Sequence, residues 1–213
     1  MPQLFFSNIF KIMMSAKRQY KRLVTLVVFL INFGACAAMA YEEPEYDVVQ
    51  KKPSYEVRYY GDRLVAQTDQ TGSSSSAFRR LFNYISGANT TSIKLEMTAP
   101  VTQSEKIEMT VPVTFENKMM RFFLPASYTI GTAPRPTDPS VELATVKGGY
   151  YAVRTYSGRA SDRNFKSNSV ELLADLEKDQ VSVTGQPVRA TYNGPLTPFF
   201  MRRNEAMIRI EWE

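Results

Sequence analysis

The chain has 213 residues, 26 basic and 21 acidic side chains, one cysteine and no histidine, for a formal charge of +5. The whole excess lies in residues 1–40, where Lys11, Lys17, Arg18, Lys21 and Arg22 stand without an acid; the other 173 residues balance at 21 of each sign and offer nucleic acid no basic surface. Without imidazole there is no usual general base, zinc ligand or axial haem ligand, and the single Cys36 leaves few nucleophile–base or metalloenzyme schemes standing.

The first segment reads as a secretory signal peptide. Basic residues precede the apolar run Leu23–Phe33, and Ala38-Met39-Ala40 forms an A-x-A cleavage site before Tyr41. Its eleven positions are too few for a bilayer span, which needs about 20. No membrane span is therefore expected after cleavage. The competing readings are an uncleaved anchor and a lipid on Cys36, although Phe33-Gly34-Ala35 is a poor lipoprotein-type signal. The stretch before Lys17 is long for such a leader, and a start at Met13 or Met14 would give an ordinary length. Cleavage after Ala40 leaves a chain without cysteine, bound for the periplasm or the extracellular space. A packed core must then stand in for disulfides.

Residues 41–54 are acidic and Pro-containing, a partly ordered lead-in. Alternation of Tyr55, Val57 and Tyr59 against Glu56 and Arg58 predicts a strand over Tyr55–Tyr60, and Leu64–Thr68 predicts a second. The serines of TGSSSS offer N-caps to a helix from Ser75 to Ser86, with Phe78, Leu81, Phe82 and Ile85 on one face and Gly87 as its stop. Then KLEMTAPVT and KIEMTVPVT recur twelve residues apart. Each has its apolar residues at odd positions, so two half-buried strands are expected, paired as a hairpin through Gln103-Ser104-Glu105. Pro100 and Pro112 cannot donate to a ladder and belong at an edge or bulge.

Met120–Leu124 reads as the next strand. Beyond the connector APRPTDPS, extended runs at Val141–Val146 and Tyr151–Tyr156 lead to a helix from Ser161 or Asp162, which turns Phe165, Leu172, Leu173 and Leu176 inward. Strands Val188–Tyr192 and Met207–Trp212 close the chain. The element order suggests a duplicated β-α-β-β unit, with halves at about 46–125 and 140–213. The fold class is α+β: an antiparallel sheet with two flanking helices.

Three stretches, YEVRYYGDRLVAQT, the doubled KLEMTAPVT/KIEMTVPVT and YNGPLTPFFMRRNEAMIRIEW, resemble the SOUL family of haem-binding proteins over residues 46–213. The resemblance implies duplicated β-α-β-β units in a distorted, barrel-like antiparallel sheet. It also implies a haem or other tetrapyrrole site over the first helix and near the loop before the last strand. Carried over, the binding residues are Phe78, Arg79, Arg80, Leu81 and Phe82 on the helix, with Tyr192, Arg202 and Arg203 around the loop Asn193–Arg203. Arginine suits haem propionates because its planar fork matches a carboxylate.

Two departures weaken the match. Asn83 (beside Tyr84) and Thr197 stand where family members show basic residues, and without histidine no His–iron bond is inherited. Met97, Met109 and the paired tyrosines read as packing residues, Arg202 and Arg203 equally as partners of Glu205 or of loop carbonyls, and Glu96/Glu108 as solvated hairpin residues. The function this supports is a non-enzymatic binder of haem or a related tetrapyrrole, in carrier, buffer or scavenger mode, with no metal ligand named. A binder of another amphipathic small molecule and an interaction module with a vestigial pocket are the alternatives.

Overall fold

A computed structural model describes residues 41–70, 73–104, 118–194 and 196–213. Residues 1–40, expected to be a signal peptide, and the second repeat copy, with Met109, Glu108 and Pro112, lie outside the described residues. Nine strands and two helices follow in the order β1 (Tyr46–Lys51), β2 (Glu56–Tyr60), β3 (Arg63–Asp69), α1 (Ser74–Ile85), β4 (Val101–Ser104), β5 (Met119–Phe123), β6 (Glu142–Val146), β7 (Gly149–Tyr156), α2 (Asp162–Lys178), β8 (Val188–Thr191) and β9 (Asn204–Ile210). The strands make one antiparallel, curled sheet ordered β1-β2-β7-β9-β8-β4-β5-β3-β6.

That order is symmetric about the β4·β8 pair. Reading outward gives β4-β5-β3-β6 on one side and β8-β9-β7-β2 on the other. The outer strands are exchanged: β2 precedes β3 in sequence but pairs with β7, while β6 precedes β7 but pairs with β3. Neither half of the sheet is therefore complete without a strand from the other.

Strand parity gives the sheet two unlike faces. One face carries the helices. Ala66, Met120 and Phe122 pack under Leu81 and Tyr84 of α1, and Ala152, Ala206 and Ile208 pack under Phe165 and Leu172 of α2. The face without helices holds a third cluster of Tyr60, Tyr151, Val153, Ala190 and Met207. Serine caps start both helices, as the sequence requires: Ser73 Oγ accepts from the Ser76 amide, and Ser161 Oγ from the Asn164 amide. Gly87 follows α1 at φ +117°, a conformation that side chains disfavour, and so ends it where expected.

Four sequence expectations need correction. The lead-in holds a regular strand, β1, paired along β2 from Tyr46↔Tyr60 to Lys51↔Glu56. The last strand starts three residues earlier than expected, at Asn204, with an inward face of Asn204, Ala206, Ile208 and Ile210. The first repeat copy is a strand only after Pro100, at Val101–Ser104; before it only Thr98 makes an isolated bridge, to Glu42. Pro100 has no amide to give, so the ladder begins one residue later. Nor do Val101–Ser104 pair with the second copy, because their two sides are taken by β5 and β8.

The fourth correction concerns α1. Its buried stripe is Ala77, Leu81, Tyr84 and Ile85, whereas Phe78 and Phe82 remain 39% and 45% exposed. Small Ala77 lets the helix approach the sheet, and the Tyr84 hydroxyl donates to the Pro134 carbonyl (2.9 Å), so the phenol is buried without an unmet polar group. Leu81→Ala should therefore lower unfolding stability by about 2–5 kcal/mol in urea titration, and Phe82→Ala by less than about 1 kcal/mol.

Candidate functional site

Phe78 and Phe82 stand one turn apart on α1 and turn away from the core. Their rings stack nearly parallel, with centroids 6.0 Å apart and planes at 14°, and Phe78 meets Phe122 edge-on at 5.2 Å. Together with Ser74, Ser75 and Arg79 of α1, Gln103 of β4 and Met120 of β5, they line an open groove of about 500 Å³. The groove offers what a flat apolar ring needs on one side: two exposed aromatic rings, a thioether and a guanidinium.

The eight residues expected at the site divide among five places. Phe78, Arg79 and Phe82 line the groove. Leu81 is fully buried in the core under α1. Arg80 points back to the sheet, where Nε donates to Thr68 Oγ1 (3.0 Å) and Nη2 to the Asp69 carbonyl (2.6 Å), with the Asp69 carboxylate 3.6 Å away. These bonds hold Arg80 to the end of β3.

Tyr192, Arg202 and Arg203 do not line the groove. Arg202 Nε donates to the Thr197 carbonyl (2.7 Å) and braces the loop from within. Tyr192 and Arg203 belong to a network on the face without helices, built on the fully buried carboxylate of Glu205. Glu205 Oε1 accepts from Arg58 Nη1 (3.1 Å) and from Arg203 Nη2 (2.8 Å); Oε2 accepts from the Tyr192 hydroxyl (2.7 Å). The Arg203 guanidinium lies 3.8 Å from the Tyr192 ring centroid and reaches Glu43 at 2.9 Å.

Burial works against the Arg58 and Arg203 charges, but Glu205 overrides it and holds both pKa values above the ordinary arginine value. Burial, then the Glu205 carboxylate, raises the Tyr192 phenol above its usual range, and burial pushes Tyr60 up to about 12. Of the other tyrosines singled out in the sequence, Tyr59 packs on Tyr150 (5.1 Å), and Tyr60 meets Tyr151 edge-on (5.6 Å). Met97 packs against the core under α1, and Glu96 is exposed.

The loop between β8 and β9 holds a feature that sequence reading missed by attending to its arginines. Leu196, Phe199, Phe200 and Met201 are 98%, 51%, 65% and 65% exposed. The Gly158 amide donates to the Phe199 carbonyl (3.0 Å), which ties this tip to the start of α2. The signal was present in LTPFFM, four large apolar residues within six positions.

Sheet, helices and groove define a two-helix α+β module with an apolar ledge beside its first helix. Residues 41–209 match the SOUL heme-binding protein family, and the chain belongs to that family. It is 27% identical over 183 residues to human heme-binding protein 2, covering 81% of this chain and 87% of that one. It is 24% identical over 133 residues to mouse heme-binding protein 1, covering 62% and 68%. A conserved protein of Listeria innocua shares the fold at a TM-score of 0.54 and 11% identity, covering 75% of this chain and 93% of that one.

Removing the Glu205 charge leaves the buried Arg58 guanidinium and the partly exposed Arg203 guanidinium without it. Glu205→Ala should destabilise by about 3–5 kcal/mol in denaturant titration. Tyr192→Phe, which strands one carboxylate oxygen, should cost about 1–3 kcal/mol. Because the Tyr60 pKa is higher in the folded chain than the ordinary tyrosine value of 10.0, its contribution is complete below pH 10 and disappears as pH rises toward about 12. Melting temperature should fall over that window, and less steeply in Tyr60→Phe.

Proposed function

We propose that this chain is an exported, non-enzymatic binder of haem or a related tetrapyrrole, acting as carrier, buffer or scavenger. The macrocycle lies on Phe78 and Phe82 in the groove beside α1, without a histidine ligand. The observation that carries this is the exposed, near-parallel phenylalanine pair: two large apolar side chains left off the core stripe on the helix where the family resemblance puts the ligand. Family membership and the names of the human and mouse relatives support the choice of tetrapyrrole.

Arg79 at the rim is the propionate partner, and Arg80 has no part, being held by Thr68 and Asp69. Burying one ring face, on the order of 250 Å², contributes roughly 6 kcal/mol, and association costs about 4 kcal/mol or more. The ledge alone is therefore a weak site. A site in the micromolar range, about −8 kcal/mol, needs apolar cover over the second ring face as well.

Haemin titration should give saturable one-to-one binding with a Soret band close to that of free haemin, and Trp212 or tyrosine emission should fall in parallel. Phe78→Ala/Phe82→Ala together should weaken binding about tenfold or more, Arg79→Ala about three- to tenfold, and Arg80→Ala not at all. No saturation below about 50 μM would refute the proposal. For export, the mass of secreted protein should correspond to a chain starting at Tyr41; a retained leader contradicts it.

A further inference from the structure

The face without helices holds two arginines that the Glu205 network does not use. Arg63 of β3 and Arg121 of β5 both line a narrow cavity of about 50 Å³, walled by Tyr60, Tyr151, Phe123 and Tyr192. Neither is within ion-pair distance of a carboxylate among the described residues, in contrast to Arg58 and Arg203 beside Glu205. Arg121 Nε donates to the side-chain oxygen of Gln67 (2.8 Å). Arg63 lies over three rings, 4.4 Å from Tyr60, 5.0 Å from Phe123 and 5.6 Å from Tyr151, and its Nε is buried without a hydrogen-bond partner.

Burial lowers the pKa of both arginines, the reverse of what Glu205 does for Arg58 and Arg203. Ring faces lessen the cost of a buried guanidinium but do not satisfy its N–H groups. Two cations facing one cavity, with a buried donor left over, are complementary to an anion.

The shape around them narrows the choice. A cavity of about 50 Å³ admits a carboxylate head but no ring. On the other side of Pro44 lies a wide opening of about 960 Å³, and Pro44, Arg63 and Phe123 belong to both. Its floor includes Leu64, Leu124, Pro125 and Tyr128, suited to an apolar tail, while Glu42, Glu45, Asp47 and Asp62 stand around it. Those acids repel a ligand of several negative charges. The geometry points to a second binding site, separate from the groove beside α1, that takes an organic monocarboxylate by its head between Arg63 and Arg121 and lays its apolar tail under the Glu42–Asp47 segment.

The test is calorimetric titration of the whole protein with 4-phenylbutyrate, its neutral counterpart 4-phenylbutanol, and citrate. Phenylbutyrate should saturate one site and weaken as salt rises. The alcohol and citrate should each bind at least about tenfold more weakly, and Arg63→Met should weaken the acid by about tenfold or more. Equal affinity for acid and alcohol, or an Arg63→Met affinity within about twofold of the parent, overturns the inference. If Arg63→Met does not fold, Arg121→Met and the acid–alcohol comparison decide the question by the same criteria. Repeating the titration with haemin present separates the two sites: unchanged acid affinity supports independence, and mutual displacement overturns it. A failure of haemin to bind bears only on the groove beside α1.

Discussion

A carboxylate with no exposure to solvent is tolerable only when its lone pairs are met, and Glu205 meets them from three directions. Arg58 comes from β2, Tyr192 from the end of β8 and Arg203 from the start of β9, and Arg203 extends the contact to Glu43 in the N-terminal segment. The residues that look most like ligand-binding arginines at the end of the chain are thus occupied in holding strands together. β2 is also one of the exchanged strands, so the network pins the first half of the chain onto the second.

The helix face is packed mainly by apolar residues, with Arg154 and Arg189 paired to acids of α2. There the two helices differ. α2 seats Phe165, Leu172 and Leu176 in the core, while α1 seats Ala77, Leu81, Tyr84 and Ile85 and leaves two phenylalanines outside. Exposed apolar area on α1 and, across the sheet, a pair of arginines with no carboxylate partner among the described residues are different kinds of incompleteness. The first favours a flat apolar ring and the second an anionic head group, which is why two sites are argued from one small sheet.

Much of the fold was legible because its signals are local. Serine caps, the glycine after α1 and period-two alternation located both helices and most strands within a few residues. β1 escaped because its residues are almost all exposed and its acidic, proline-bearing surroundings read as loop; pairing to β2, a tertiary fact, makes it a strand. The inward face of α1 was misread because Phe outranks Ala and Tyr in hydrophobicity. A partner for the Tyr84 hydroxyl fifty residues away, at Pro134, cannot be seen from the helix alone. The site was legible in the same uneven way. Phe78, Arg79 and Phe82 line the groove, but nothing local tells Arg79, which faces it, from its neighbour Arg80, which is bound to β3.

The central claim is where the macrocycle sits, and ferric haem reports its own position through paramagnetic broadening of nearby nuclei. In an amide-resolved NMR spectrum recorded with one equivalent of haemin, signals of Ser74–Phe82, Gln103 and Met120 should broaden beyond detection while those of Tyr60, Tyr151 and Met207, several strands away, persist. Broadening confined to the strands that carry Tyr60, Tyr151 and Met207, with α1 untouched, would contradict the account.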